Sequence, residues 1–211
     1  YYAKKMGANI GRIKIASNQN NILTQLFTTG IYDLNNKELI STISPAMDIL
    51  VSSNVERLLF DKFGAVRTKE LMDSLATNKK YELTNDELNV LKADFDAAFC
   101  TDDECIENIS KMAKSGILID PHTATCLNLV NDENITVITS TAQWVKFTPS
   151  MIKALKNRTS TDELADMQLL ASKYHVKLPK NIIKLFKEEA IHTDIVKKNQ
   201  IKSNIIERIK Q

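Results

Sequence analysis

The chain has 211 residues, of which 43% are hydrophobic and 26% are charged, and its formal net charge is +2. These proportions are ordinary for a globular protein, and the small charge gives no electrostatic reason to expect nucleic acid or a membrane as partner. No apolar run is long enough to span a bilayer. Three cysteines at irregular spacing exclude a disulfide framework, which favours a cytoplasmic location. The three histidines, His122, His175 and His192, share no metal-ligand spacing, so we expect no metal site.

The first elements predict half of a βα unit. Residues 11–16 alternate as a strand does, and the following apolar segment, with Leu23, Leu26 and Phe27, predicts a helix that ends at Gly30. Between them lies a polar turn, residues 17–21. In open α/β sheets such a turn, at the carboxyl end of a strand, faces a ligand. The same asparagines would also be explained by capping the helix.

Residues 39–57 combine hydroxyl and apolar side chains, and Asp48 is the only charged residue in this stretch before Val55. The composition predicts the end of a strand, a turn at Ser44 and Pro45, and the start of a helix. Polar side chains that converge on an apolar cleft are typical of a small-molecule site. The alternative is that the hydroxyls only cap and turn the backbone.

Residues 54–115 are predicted to be helical. Apolar spacing indicates helices over residues 54–63 and 65–78, and a capping box at Thr84 opens a third helix with a stripe of Leu88, Leu91, Phe95 and Phe99. A second capping box, at Thr101, opens a helix that ends at residue 116. We interpret residues 65–115 as a helical insertion without chemistry of its own.

A strand–helix–strand pattern follows. Residues 117–119 and 135–139 are predicted strands, and Asp120 and Pro121 suit the N-cap and first position of the helix between them. This pattern predicts a βαβ unit, in which Thr141 would lie just past the carboxyl end of the second strand.

The rest of the chain, from residue 148, is predicted to be helical. A third capping box begins at Ser160, Pro179 starts a helix, and the last helix carries an isoleucine stripe among basic residues. Those basic residues form either a solvated face or a surface for an anionic partner. We therefore divide the chain into an α/β core segment (1–64), the insertion (65–115), a return to the core (116–150) and a helical tail (151–211).

Four segments, in this order, resemble threonine synthase of the bacterial and fungal type. They are IKIASN at 13–18 with Asn20, TISPAMDILVSSNVER at 42–57, IDPHTA at 119–124, and STA at 140–142 with Lys146 and Phe147. The chain is identified by this resemblance as the C-terminal part of such an enzyme. The resemblance implies an α/β fold of the tryptophan synthase β-like type (fold type II). It also implies conversion of O-phospho-L-homoserine and water to L-threonine and phosphate.

Pyridoxal 5′-phosphate is the cofactor that the resemblance implies, serving as an electron sink. Its lysine, in an FKD-like motif, and its GNFGN-like phosphate loop are expected upstream of Tyr1. We therefore expect this chain to be a fragment with no catalytic residue of its own, inactive alone. Lys62, within FDKF, is superficially similar to the lysine motif, but its surroundings are those of an ordinary helix face.

Thr141 is the cofactor-binding residue implied by the resemblance, because a neutral hydroxyl faces the pyridine nitrogen in this fold. The alternative role of Thr141 is a helix N-cap. For His122 we expect a structural hydrogen bond rather than acid–base work.

Candidates for lining the substrate pocket are Ser44, Asp48, Asn54, Arg57 and Lys146. The Arg57 guanidinium suits the substrate phosphate, or it pairs with a carboxylate such as Asp61 one turn on. Lys146 is the second candidate for the phosphate.

The chain departs from the family pattern in places. Asn21 stands where an aspartate is common, Gln143 and Trp144 replace HP in TAHPAKF, and Thr125 and Cys126 follow DPHTA where small residues are usual. Two alternatives therefore stay open: a non-catalytic binding module without coenzyme, and a related phospho-lyase that eliminates phosphate without adding water. The expected partner is a small-molecule substrate, and the protein is expected to be a monomer or a homodimer.

Overall fold

The computed structural model describes residues 1–131, 135–191 and 193–210, so His192 lies outside the described residues. The strands are β1 (Ile13–Ser17), β2 (Ile31–Asp33), β3 (Lys80–Glu82) and β4 (Phe95–Phe99). The helices are α1 (Tyr2–Lys5), α2 (Ile22–Thr29), α3 (Val55–Asn78), α4 (Asn85–Asp94), α5 (Asp102–Lys114), α6 (Pro121–Ala124), α7 (Thr148–Lys156), α8 (Glu163–Lys173), α9 (Lys180–Leu185) and α10 (Ile201–Ile209).

Two short sheets organise the first part of the chain. Strands β1 and β4 pair in parallel, with Ile13 opposite Phe95 and Ser17 opposite Phe99. A parallel pair needs a long crossover, which here contains α2, β2, α3, β3 and α4. Strands β2 and β3 pair antiparallel within that crossover, with Tyr32 opposite Tyr81. The predicted α/β class is confirmed.

The helical stripe predicted to run through Phe95 and Phe99 is wrong beyond residue 94. Helix α4 ends at Asp94, and the chain continues directly into β4. The Phe95 ring packs between Phe27, at 5.2 Å, and Tyr1, at 5.7 Å between ring centroids. Pairing with β1 and burial of this ring outweigh the local preference for helix, as tertiary contacts commonly do.

The two strands predicted around α6 are also wrong. Residues 117–119 and 135–139 are not in strands, so the predicted βαβ unit is not formed within the described part of the chain. Ile135 is 99% exposed and Val137 is 87% exposed. A strand needs a neighbouring strand for its backbone hydrogen bonds, and the described strands pair with one another, β1 with β4 and β2 with β3. Thr141 therefore does not follow a strand.

Helix boundaries follow local signals closely. The capping boxes at Thr84 and Thr101 are confirmed, with hydrogen bonds in both directions. The third helix start differs, because Asp162, rather than Ser160, caps α8 through the Ala165 backbone N–H. The two helices predicted on either side of residue 64 are confirmed as two helical runs within α3, because Gly64 between them has φ +78° and a non-helical backbone.

Two apolar cores lie within the compact unit of residues 1–176. The first packs α2, α3 and the strands around Leu26, Leu59 and Leu91. The second packs α5, α6, α7 and α8 around Ile109, Ile152 and other residues of those helices. The second core holds α6 in place through Ala124.

A second compact unit spans residues 177–211 and contains α9 and α10, as predicted from Pro179 and the isoleucine stripe. The isoleucines of the stripe, Ile201, Ile205 and Ile209, are exposed, and Arg208 pairs with Asp194. The division into four segments stays a prediction. Within the described residues, no helix is both long and apolar enough to cross a membrane.

The stacked pair Tyr32 and Tyr81 gives a test of the first core. The Tyr32 hydroxyl donates to the Leu50 carbonyl at 2.8 Å and accepts from the Ser52 N–H at 2.9 Å. The Tyr81 hydroxyl is buried, and among the described residues it has no hydrogen-bond partner. We expect Tyr32→Phe to lower the free energy of unfolding by about 1–3 kcal/mol, and Tyr81→Phe to leave it unchanged or raise it. Equal losses in guanidinium denaturation would contradict this difference.

Candidate functional site

The carboxyl end of β1 meets a polar bend formed by residues 42–48. Asn18, which directly follows β1, is only 2% exposed. Its side-chain amide lies 2.9 Å from the Thr42 hydroxyl, 3.1 Å from the Ser44 hydroxyl and 2.8 Å from Asp48 Oδ1. The turn after β1 and the bend are therefore joined by a buried polar network.

Asp48 is the main acceptor of this network. Its Oδ1 accepts from the amides of Asn18 and Asn20, at 2.8 and 3.1 Å, and from the Thr42 hydroxyl at 2.7 Å. Its Oδ2 accepts from the Thr42 backbone N–H at 2.9 Å. Four donors around one carboxylate hold the bend closed. The predicted site residues Ser44 and Asp48 thus lie together, with their polar atoms engaged by the protein.

The asparagines after β1 bind the bend rather than capping α2. Asn20 exchanges two hydrogen bonds with the Ile40 backbone, donating at 2.8 Å and accepting at 2.9 Å. Asn21 occupies the N-cap position of α2, but its side chain makes no capping hydrogen bond. The alternative that capping alone explains these asparagines is therefore wrong.

An open groove of about 390 Å³ lies beside this network. Four side-chain amides line it together with Lys37 and Glu38; they belong to Gln19, Asn20, Asn21 and Asn36. Amides, one cation and one anion can bind a small polar molecule through hydrogen bonds and charge. The groove lies at the carboxyl end of β1, where the sequence predicts a ligand-facing edge, and that role stays a prediction.

Helix α6 closes the other side of the bend. Asp120 caps this helix, accepting from the backbone N–H groups of His122 and Thr123. His122 Nδ1 lies 2.9 Å from Asp120 Oδ1, and His122 Nε2 accepts from the Ala46 backbone N–H at 3.0 Å. The predicted structural role of His122 is confirmed. Burial alone would raise the pKa of Asp120, but hydrogen bonds from His122 and Thr123 outweigh it and lower that pKa.

Thr141 lies in an exposed segment that is tied to α6. The neighbouring Ser140 hydroxyl is 3.1 Å from the Thr123 hydroxyl, which in turn donates to Asp120. The following 3₁₀ turn, Trp144–Phe147, has Gln143 at its N-cap position, so Thr141 is not the helix cap that we considered.

The remaining predicted site residues are exposed. Arg57 donates to the Asn54 side chain at 3.0 Å, so these two candidates lie together at the start of α3. The expected alternative pairing of Arg57 with Asp61 is wrong, because Asp61 accepts from Tyr1 and Lys5. The Lys146 ammonium lies 5.5 Å from the centroid of the Phe147 ring.

Sequence reasoning did not find the central position of Asn18 and Thr42 or the link from His122 to Ala46. Asn18 was visible only as part of a polar turn, and Thr42 only as one hydroxyl among several. The link joins residues 76 positions apart in the chain. The sequence indicated the two ends of this link separately, through the Asp–Pro helix start before His122 and through the polar bend itself.

Comparisons with known proteins place this geometry in a family. No family model matches the chain. Threonine synthase-like 1 of Homo sapiens is 40% identical over 175 residues, which cover 77% of this chain and 23% of that protein. Threonine synthase of Saccharomyces cerevisiae is 34% identical over 179 residues, which cover 74% of this chain and 35% of that enzyme. The chain thus spans about a quarter to a third of the length of these relatives.

The solved structures that match the fold of this chain are also threonine synthases. The crystal structure of the yeast threonine synthase matches with a TM-score of 0.82 and 27% identity, covering all of this chain and 44% of the other. The pyridoxal phosphate-bound threonine synthase of Brucella melitensis matches with a TM-score of 0.69 and 28% identity, covering 88% and 42% of the two chains. The fold is therefore that of a C-terminal-like segment of these α/β structures. The chain belongs to the threonine synthase family.

The Asp48 carboxylate gives a test of the polar network. In Asp48→Asn one acceptor oxygen is replaced by an NH₂ group that faces other donors. We expect the free energy of unfolding to fall by about 2 kcal/mol. The control Glu107→Gln removes one charge at an exposed position of α5 and should change stability by less than about 0.5 kcal/mol. A denaturation series in which the two variants behaved alike would show that Asp48 does not hold the bend.

Proposed function

We propose that this chain is part of a pyridoxal phosphate-dependent threonine synthase that converts O-phospho-L-homoserine and water to L-threonine and phosphate. The observation that carries the proposal is the hydrogen-bonded network of the buried Asn18, Thr42 and Ser44 with the half-buried Asp48. It gives a fixed shape to the segment that resembles the family most closely, at the ligand-facing end of β1. The named relatives and the coenzyme-bound Brucella structure support the same reaction class.

Of the residues present, Thr141 suits the pyridine nitrogen end of the coenzyme. Pyridoxal phosphate, when bound, supplies an electron sink for the reaction. Thr141 carries an exposed neutral hydroxyl on a segment anchored through Ser140, which suits a hydrogen bond to an unprotonated ring nitrogen. Lys62 does not suit the coenzyme carbonyl, because its ammonium donates to Asp94 at 2.7 Å. The proposal therefore assigns the coenzyme lysine to a part of the protein outside this sequence.

The substrate phosphate is assigned to Arg57 in this proposal. One guanidinium nitrogen is bonded to Asn54, which orients the group while its other N–H donors stay available for phosphate oxygens. Lys146, also exposed, is the second candidate. Ser44 and Asp48 contribute by shaping the bend, since both side chains are hydrogen-bonded to Thr42.

A non-catalytic binding module is the second candidate function. It is favoured by Asn21 and Gln143, which stand where the family commonly has an acid and a histidine, and by the match to threonine synthase-like 1. A phospho-lyase that eliminates phosphate without adding water is the third. The proposal also keeps a cytoplasmic location, with which the free thiols of Cys100, Cys105 and Cys126 are compatible, and a monomeric or homodimeric state.

Borohydride reduction of the full-length native protein tests the cofactor class. We expect a reduced pyridoxyl group on one lysine outside residues 1–211, found by peptide mapping. Incubation with O-phosphohomoserine should then release phosphate and threonine in equal amounts. Phosphate without threonine would favour the phospho-lyase, and neither label nor phosphate would favour the non-catalytic module.

Thr141→Val tests the coenzyme role of the hydroxyl. The valine is nearly the same size, so the fold should be retained while coenzyme affinity or kcat falls by about tenfold, the equivalent of one lost hydrogen bond. Thr141→Ser keeps the hydroxyl and serves as the matched control. Coenzyme fluorescence titration and steady-state kinetics measure both effects. If the valine variant binds and turns over like the serine variant, Thr141 is not in the site.

A further inference from the structure

His122 connects two parts of the molecule that are distant in the sequence. It belongs to α6, and its Nε2 accepts a hydrogen bond at 3.0 Å from the backbone N–H of Ala46, in the polar bend. The imidazole is only 6% exposed. Its ring also packs on the Phe147 ring, with 4.4 Å between centroids. The side chain is therefore held on several sides and reaches the bend at one defined atom.

The contacts of His122 fix which nitrogen carries the proton. Nδ1 lies 2.9 Å from the Asp120 carboxylate, which can only accept, so Nδ1 must donate. Nε2 faces a backbone N–H, which can only donate, so Nε2 must be unprotonated. Asp120 is itself fixed as the N-cap of α6 and by the hydroxyl of Thr123. Asp120 thus selects the tautomer that can accept from Ala46.

Ala46 lies between the two predicted site residues of the bend, Ser44 and Asp48. The opposite side of the bend is held by Asn18 and Asn20, through their contacts with Thr42 and Asp48. Without His122, the short 3₁₀ turn Pro45–Met47 would keep its own hydrogen bonds, but its position against α6 would lose this polar contact. The bend therefore depends on a contact from each side.

We propose that His122 is a positioning residue for the substrate site: through its unprotonated Nε2 it holds the bend of residues 42–48, which carries Ser44 and Asp48, in place beside the groove. This inference rests on the proposed function for the identity of the substrate. It assigns no proton transfer to His122. Asp120 acts one step further back, by orienting the imidazole.

Two variants of the full-length protein separate the two ends of the imidazole. In His122→Gln the longer side chain can place an amide oxygen near the position of Nε2, which keeps an acceptor for Ala46. In His122→Asn the amide reaches only the position of Nδ1, which keeps a partner for Asp120 and loses Ala46. We expect KM for O-phosphohomoserine to rise about tenfold in His122→Asn, with a smaller change in kcat, and to be largely restored in His122→Gln.

Hydrogen–deuterium exchange gives a readout that does not depend on activity. Peptides that cover residues 42–48 should exchange faster in His122→Asn than in His122→Gln or the unchanged protein. The reverse order, or equal behaviour of the two variants, would overturn the proposal. If the protein shows no threonine synthase activity, the proposed function fails, while the exchange pattern still decides whether His122 holds the bend.

The unchanged protein offers a check that no folding defect can obscure. With ¹⁵N-labelled histidine, the ring nitrogen shifts of His122 should show a protonated Nδ1 and an unprotonated Nε2. A proton on Nε2 would remove the acceptor for Ala46 and overturn the proposal, whatever the variants do.

Discussion

The half-buried carboxylate of Asp48 is the interaction on which the bend at the carboxyl end of β1 depends. Four protein donors are hydrogen-bonded to its two oxygens. Those donors come from the turn after β1 and from Thr42 at the start of the bend. Because one acceptor gathers both segments, the position of the bend is set by the end of the strand.

A second carboxylate repeats this logic on the opposite side. Asp120 is 1% exposed and is satisfied by the start of its own helix and by His122. His122, oriented by Asp120, in turn accepts a hydrogen bond from the Ala46 backbone N–H. The site is thus held between two hydrogen-bonded acids, the half-buried Asp48 beside the end of β1 and the buried Asp120 beside the second core. The two apolar cores of the protein position the site, and the hydrogen bonds of Asp48 and Asp120 define its shape.

The sequence predicted what local interactions decide. The capping box at Thr84 needs only residues within one turn, and Pro179 starts α9 for a similarly local reason. Strand β4 was missed because its pairing partner lies far upstream. Residues 135–139 have the composition of a strand, but composition cannot supply a neighbour. For the site, the sequence located the bend and α6 separately, and only the fold shows that His122 joins them.

The parallel pairing of β1 with β4 has a consequence for the order of assembly. Ile13 and Phe95 are partners although they stand 82 positions apart, the difference between 95 and 13. Closing so long a loop costs conformational entropy before the strands gain anything from pairing, whereas the hydrogen bonds within α3 and α4 join near neighbours. Non-local contacts of this kind make folding slow. The end of β1, and with it the polar edge that it carries, therefore depends on a pairing that is entropically costly to close.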